Sequence, residues 1–238
     1  MTGELPLFVL IHSPLVGPIT WGLVAEQLRQ RNTDAVVPSL CVEPARVPYW
    51  QRHASAVVDA LNGMRVDRPV VLVAHSGAGP LLPVMGQGIR RAVGGYLFVD
   101  AALPGKDGQS RLDLFDAAEA RRFREAAVDG LIASVWHNHD VLRAAGIAGP
   151  DLRERFVAEV PDVPLAVYEE PLPVPVAWPD APCGYLRFSA AYEPEASAAR
   201  RRGWAVRELA GGHFHMLADP PAVADALLAL VAQMRIAL

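Results

Sequence analysis

The chain has 238 residues, 52% of them hydrophobic and 20% charged, with a formal net charge of −4. That is enough apolar material for one sizeable core in a single domain, and the mild acidity leaves no basic stripe to neutralise phosphates, which argues against nucleic acid as a partner. The N-terminal apolar run lacks a basic leader and is too short to span a bilayer, and two cysteines, Cys41 and Cys183, are too few for a disulfide framework. The expectation is a cytoplasmic monomer or homodimer with free thiols, off the membrane.

Short apolar runs alternate with helical periodicity. Residues 5–12 ("LPLFVLIH") read as a buried strand and residues 20–31 ("TWGLVAEQLRQR") as an amphipathic helix. Residues 34–40 form a second strand, followed by a helix over 49–64 and the strand 69–75 ("PVVLVAH"). A small-residue helix starts at Gly77. Further strands follow at 94–104, 183–190 and 205–209, and the helix 221–238 closes the chain with Pro at its start, where Pro is tolerated. This alternation predicts a mostly parallel, doubly wound α/β sheet covered on both faces.

Residues 105–182 break the rhythm with two or three helical segments and the proline-rich "VPDVPLAVYEEPLPVPVAWPDAP". Inserts at the C-terminal ends of parallel strands build substrate pockets. The predicted architecture is therefore one domain over 1–238 with a helical cap at about 105–182, its proline stretch packed through Leu165, Tyr168 and Trp178.

The stretch "AHSGA" (74–78) has the form small-x-Ser-x-small between a buried strand and a helix. A serine held on a strained strand-to-helix turn needs small residues two before and two after it, because anything larger collides. Its hydroxyl is then lifted above the sheet, and the N–H of the next residue points at a developing oxyanion. Ser76 is thus the candidate nucleophile and the Gly77 N–H one oxyanion donor, with His75 expected on the substrate side. A hydrolase so built needs a late histidine. His213 lies in "ELAGGHFHMLADP" just after the strand 205–209, in a Gly-Gly turn, while His215 falls beyond the turn and is expected to pack locally. In the cap, "SVWHNHD" spaces His137 and His139 two apart, a poor metal pair. Trp136 is expected to line the pocket with Trp21 and Tyr49. No metal site is expected.

On "FVLIHSPLVGPITW", "AHSGAG", "YLFVDAALPGKDGQS" and "GGHFHMLADP", the chain resembles the α/β-hydrolase superfamily over nearly its whole length, closest to the small esterase and hydroxynitrile lyase branch. The resemblance implies a Ser-His-acid triad, no cofactor, and small ester, thioester or carbonyl substrates under a cap. Two positions depart from the branch. Most relatives have His-Gly at the start of the oxyanion loop and take an N–H from the residue after the Gly. This chain has His12-Ser13-Pro14, and Pro14 has no N–H to give. Either the Ser13 hydroxyl, similar to a threonine of the hydroxynitrile lyases, or the Leu15 N–H takes over. Relatives also carry an Asp shortly after the seventh strand, where "FSAAYEPEAS" has only Glu193 and Glu195. Asp100, ending the strand "YLFVD", is the preferred acid and Glu193 the alternative. The expected function is a serine hydrolase of small molecules. A lyase, cyclase or isomerase using Ser76 and His213 as acid-base groups is the alternative, and a small-molecule receptor comes last.

Overall fold

Strand β1 (Leu7–Ile11) is apolar at all five positions and buried at all five, the mark of a parallel strand covered on both faces. Its side chains alternate between two cores. Phe8 and Leu10 face one cluster, while Leu7, Val9 and Ile11 face the other, as a two-residue period requires. A computed structural model describes residues 5–40, 48–64, 68–132 and 134–234. After β1 come α1 (Ile19–Gln30), β2 (Ala35–Val36), α2 (Tyr49–Asn62), β3 (Val70–His75), α3 (Leu82–Gly88) and β4 (Val93–Val99). The inserted segment holds α4 (Ala117–Glu125), β5 (Ala127–Val128), β6 (Leu131–Ile132), α5 (His139–Ala144), α6 (Pro150–Val157), β7 (Val163–Pro164) and α7 (Ala166–Glu169). The chain then returns through β8 (Cys183–Arg187), α8 (Glu193–Arg201), β9 (Ala205–Glu208), α9 (His215–Ala218) and α10 (Pro220–Met234).

The main sheet runs β2-β1-β3-β4-β8-β9, and every pairing in it is parallel. The first core, holding Trp21, Leu28, Leu227 and Leu230, places α1 and α10 on one face. The second, holding Val57, Leu61, Leu82 and Met85, places α2 and α3 on the other. Strand order reverses between β1 and β3, so the loops leaving these two strands open a crevice at one sheet edge, the usual place for a ligand.

The structure revises several expected boundaries. The strand expected over 34–40 pairs with β1 only at Ala35 and Val36; Pro38, soon after, has no N–H for a ladder. The helix expected from Gly77 begins as a 3-10 turn over Ser76–Leu81, with Pro80 inside it, and becomes α-helical only at Leu82. The strand expected over 94–104 stops at Val99, because Asp100 turns to a φ of 41°. The insert carries, besides its helices, a small antiparallel sheet in the order β5-β6-β7. Cys183 is a free, buried thiol whose pKa burial pushes up to about 12; Cys41 lies outside the described residues. Among the described residues, no helix is long and apolar enough to cross a membrane.

Candidate active site

Ser76 follows β3 at a φ of 56°, a left-handed conformation that costs a non-glycine residue about 1–3 kcal/mol and persists only when neighbours enforce it. Ala74 and Ala78, two residues to either side, are both fully buried. Gly79 must be glycine: a Cβ there would collide with the carbonyl of Ala102 on the loop leaving β4. That loop also sends the Ala102 N–H to the Ser76 carbonyl at 3.3 Å. The serine turn and the loop bearing Asp100 are thus locked together.

Because β3, β4, β8 and β9 are parallel and adjacent, their exit loops converge. His213, on the loop after β9, bridges two of the other exits. Its Nδ1 donates to Asp100 Oδ2 at 3.0 Å and its Nε2 accepts from Ser76 Oγ at 3.1 Å. This tautomer follows from the partners, since a carboxylate only accepts. Asp100 is fully buried and well satisfied. Its Oδ1 accepts from the N–H groups of Phe188 (2.8 Å) and Ser189 (3.0 Å), and its Oδ2 accepts from the Ser189 hydroxyl at 2.7 Å. These three donors hold it as a rigid acceptor for the imidazole.

Glu193, the alternative acid, is placed elsewhere. Its carboxylate pairs with Arg187 (2.9 Å) and Arg200 (2.8 Å) and accepts from Ser197 Oγ at 2.7 Å. The Ser197 and Arg200 contacts hold its pKa below the usual range. It starts α8, where the dipole also favours a carboxylate, and its bonds go to Ser197, Arg187 and Arg200 rather than to His213. Glu195 is raised in pKa, chiefly by burial, and it too makes no bond to the imidazole.

Four rings surround the imidazole, one of them its chain neighbour Phe214 at 5.2 Å. Tyr192 stacks parallel to it at 5.2 Å, Trp136 stacks at 6.2 Å, and His75 lies at 4.4 Å. His75 was expected to face substrate, but it is fully buried. Its Nε2 donates to the His213 carbonyl at 3.0 Å, and burial holds its pKa well below 6.5. It positions the histidine loop from below. Trp21 is also buried, edge-on to His75 at 6.2 Å, and Tyr49 belongs to the small core beneath the insert. Neither lines the groove that opens beside Tyr192. His215 packs against Phe188 at 5.5 Å.

Two groups bonded to the serine turn escaped sequence reasoning. The Tyr192 hydroxyl lies 3.4 Å from Ser76 Oγ, and with Ser76 donating to His213 the phenol is the donor. The fully buried Arg111 donates from Nε to the Gly77 carbonyl at 3.1 Å and from a terminal nitrogen to the Val167 carbonyl. Tyr192 stands next to Glu193 in "FSAAYEPEAS", so a polar aromatic on a strand exit was the available signal. A lone Arg in an insert gave none.

In the loop after β1, His12 is buried and neutral, its pKa held down to about 4 by desolvation. Its Nδ1 donates to the Ser13 carbonyl at 2.8 Å, and its Nε2 accepts from the Leu40 N–H at 3.0 Å. The Leu15 N–H, one of two expected oxyanion donors, is turned onto Ser13 Oγ at 3.3 Å. Beside Tyr192 a groove of about 530 Å³ opens, lined by Leu103, Leu114, Phe115, Glu119 and Arg202 among others.

A model described as the Alpha/beta hydrolase family matches residues 8–226. No curated protein matches the chain. Among solved structures, an extracellular alpha/beta-hydrolase from a Paenibacillus species, described as sharing structural and functional homology with tobacco salicylic acid binding protein 2, superposes with a TM-score of 0.77 at 21% identity, covering 95% of this chain and 99% of its own. Tomato methylketone synthase I complexed with 2-tridecanone superposes at 0.74 with 14% identity, covering 97% and 99%. A pyrethroid hydrolase from Sphingobium faniae superposes at 0.73 with 16% identity, covering 95% and 97%. At these identities the likeness is one of fold.

Proposed function

The chain belongs to the alpha/beta hydrolase family, and from that premise we propose that it is a serine hydrolase of small esters or thioesters, working through an acyl-enzyme. One observation carries this function: the unbroken Ser76–His213–Asp100 hydrogen-bonded chain, with contacts of 3.1 and 3.0 Å, on a serine held at positive φ. As Ser76 Oγ adds to the substrate carbonyl carbon, its proton passes to His213 Nε2. Buried Asp100 stabilises the imidazolium, and the carbonyl oxygen becomes an oxyanion facing the Gly77 N–H. Collapse expels the alcohol or thiol, which takes the proton back from His213, and water then repeats the sequence on the acyl-enzyme. The groove beside Tyr192, with Leu103, Leu114 and Phe115 in its wall, suits a small apolar group on the substrate.

The test is pre-steady-state release of p-nitrophenolate from short-chain p-nitrophenyl esters. A burst equal to the protein concentration supports the acyl-enzyme, and folded protein that releases none removes it. Pro14, which leaves the loop after β1 short of one N–H, favours a second function: acid-base chemistry by Ser76 and His213 without an acyl-enzyme, on a fold that methylketone synthase I shares. Turnover without a burst or a covalent serine adduct would select it.

A further inference from the structure

The turn after β1 has no backbone donor left for an oxyanion at residues 14–16. Pro14 lacks an N–H, the Leu15 N–H is bound to Ser13 Oγ at 3.3 Å, and the Val16 N–H is bound to the Ser13 carbonyl at 3.1 Å. Gly77 carries no side chain, and two hydroxyls occupy the space that one would fill. A Cβ built on Gly77 would lie 2.6 Å from the Tyr168 hydroxyl oxygen and 3.4 Å from Ser13 Oγ. Tyr168 comes from α7, in the insert, so its hydroxyl and that of Ser13 meet over Gly77. Both phenol and serine therefore stand over the residue whose N–H faces the developing oxyanion.

We propose that the Tyr168 phenol is the second oxyanion-hole donor, standing in for the N–H that Pro14 lacks. The chain of donors runs from the Leu15 N–H into Ser13 Oγ, from the Ser13 hydroxyl to the Tyr168 oxygen, and from the Tyr168 O–H to the substrate oxygen. Each bond polarises the next. Arg111 fixes the phenol in place. It is fully buried, its guanidinium lies 5.3 Å from the centre of the Tyr168 ring, and it bonds the carbonyls of both Gly77 and Val167. One side chain thus ties the serine turn to the helix that carries Tyr168. Burial raises the pKa of the phenol and the Arg111 charge only opposes that rise, so the O–H keeps its proton and stays a donor. Gly77 is required because any side chain would expel the hydroxyl.

This role rests on the serine-hydrolase function proposed above, and the experiment separates the two. Wild type, Tyr168→Phe and Ser13→Ala are titrated with a fluorophosphonate, so that rates are counted per reactive Ser76 and misfolded protein drops out. Each is then assayed with a p-nitrophenyl ester and with its thiono analogue, whose sulfur is a poor hydrogen-bond acceptor. Tyr168→Phe is expected to lower kcat for the ester about a hundredfold, as loss of one oxyanion donor does, with KM within about threefold. The oxo-to-thiono rate ratio should fall in the same proportion, and Ser13→Ala should lower both in the same direction by a smaller factor. A Tyr168→Phe variant within threefold of wild type overturns the proposal. So does a large loss at an unchanged oxo-to-thiono ratio, which would make Tyr168 a packing residue. A wild type with no Ser76 adduct removes the hydrolase function, and the proposal with it.

Discussion

Replacing Asp100 with Asn changes one atom and should cost nearly all activity. Asp100 Oδ1 accepts two backbone N–H bonds, from Phe188 and Ser189, so the amide oxygen of an Asn is fixed there. The amide nitrogen must then occupy the Oδ2 position, which faces Ser189 Oγ at 2.7 Å and His213 Nδ1 at 3.0 Å. The serine hydroxyl can turn round and accept, but an Nδ1–H cannot. The imidazole is driven to the other tautomer, which puts the proton on Nε2 and leaves nothing to accept from Ser76 Oγ. The serine-protease template loses about four orders of magnitude for this exchange, or about 5 kcal/mol of transition-state stabilisation. The assay is kcat on a short p-nitrophenyl ester for Asp100→Asn and Glu193→Gln, with thermal melts to confirm folding. Glu193 is engaged with Arg187, Arg200 and Ser197, so Glu193→Gln should cost less than about tenfold, or under roughly 1.4 kcal/mol. The reverse ranking would refute the tautomer argument, and two mild losses would mean that the histidine works without a carboxylate.

Gly79→Ala should destabilise the fold, since its Cβ meets the Ala102 backbone carbonyl rather than a side chain that can swing aside. A cost of at least about 2 kcal/mol, read as a Tm lower by about 4–8 °C, is expected, and an unchanged melt would contradict the close approach. Acid stability should depend on His53, fully buried on α2 with neither ring nitrogen hydrogen-bonded. Burial, then the charge of Arg111, holds its pKa down to about 3 against 6.5. The unfolded chain takes up this proton first, so stability is lost as pH falls from about 6.5 toward 3. Between pH 7 and 5 the loss is about 2 kcal/mol for one such group. His53→Leu should be no less stable at pH 7 and should lose about 2 kcal/mol less on going to pH 5, measured by urea unfolding. An unchanged pH slope would show that His53 is not buried neutral.

The central strands were legible because parallel strands buried on both faces read as unbroken apolar runs, as "LFVLI" and "VVLVA" do. Helices α1, α2 and α10 carry the other period. The serine turn was legible because sterics demand small residues there, and Ala74 and Ala78 supply them. The insert's β5, β6 and β7 were not legible: at two residues each, they have no period to display. The choice between Asp100 and Glu193 depends on β4 lying beside β8, a pairing between residues far apart in the chain. Tyr168, Tyr192 and Arg111 escaped for the same reason. Each meets the serine turn only through the folded sheet, Tyr192 across 116 positions and Arg111 across 34, and no local pattern encodes such contacts.

The central claim is that Ser76 is an activated nucleophile, and intact-mass spectrometry after fluorophosphonate treatment tests it most directly. The expected result is one adduct per chain, mapped to Ser76, absent from Ser76→Ala and slowed by at least about a hundredfold in His213→Ala, which lacks the base that takes the serine proton. Folded wild-type protein that stays unlabelled, or that is labelled equally after Ser76→Ala, would contradict it.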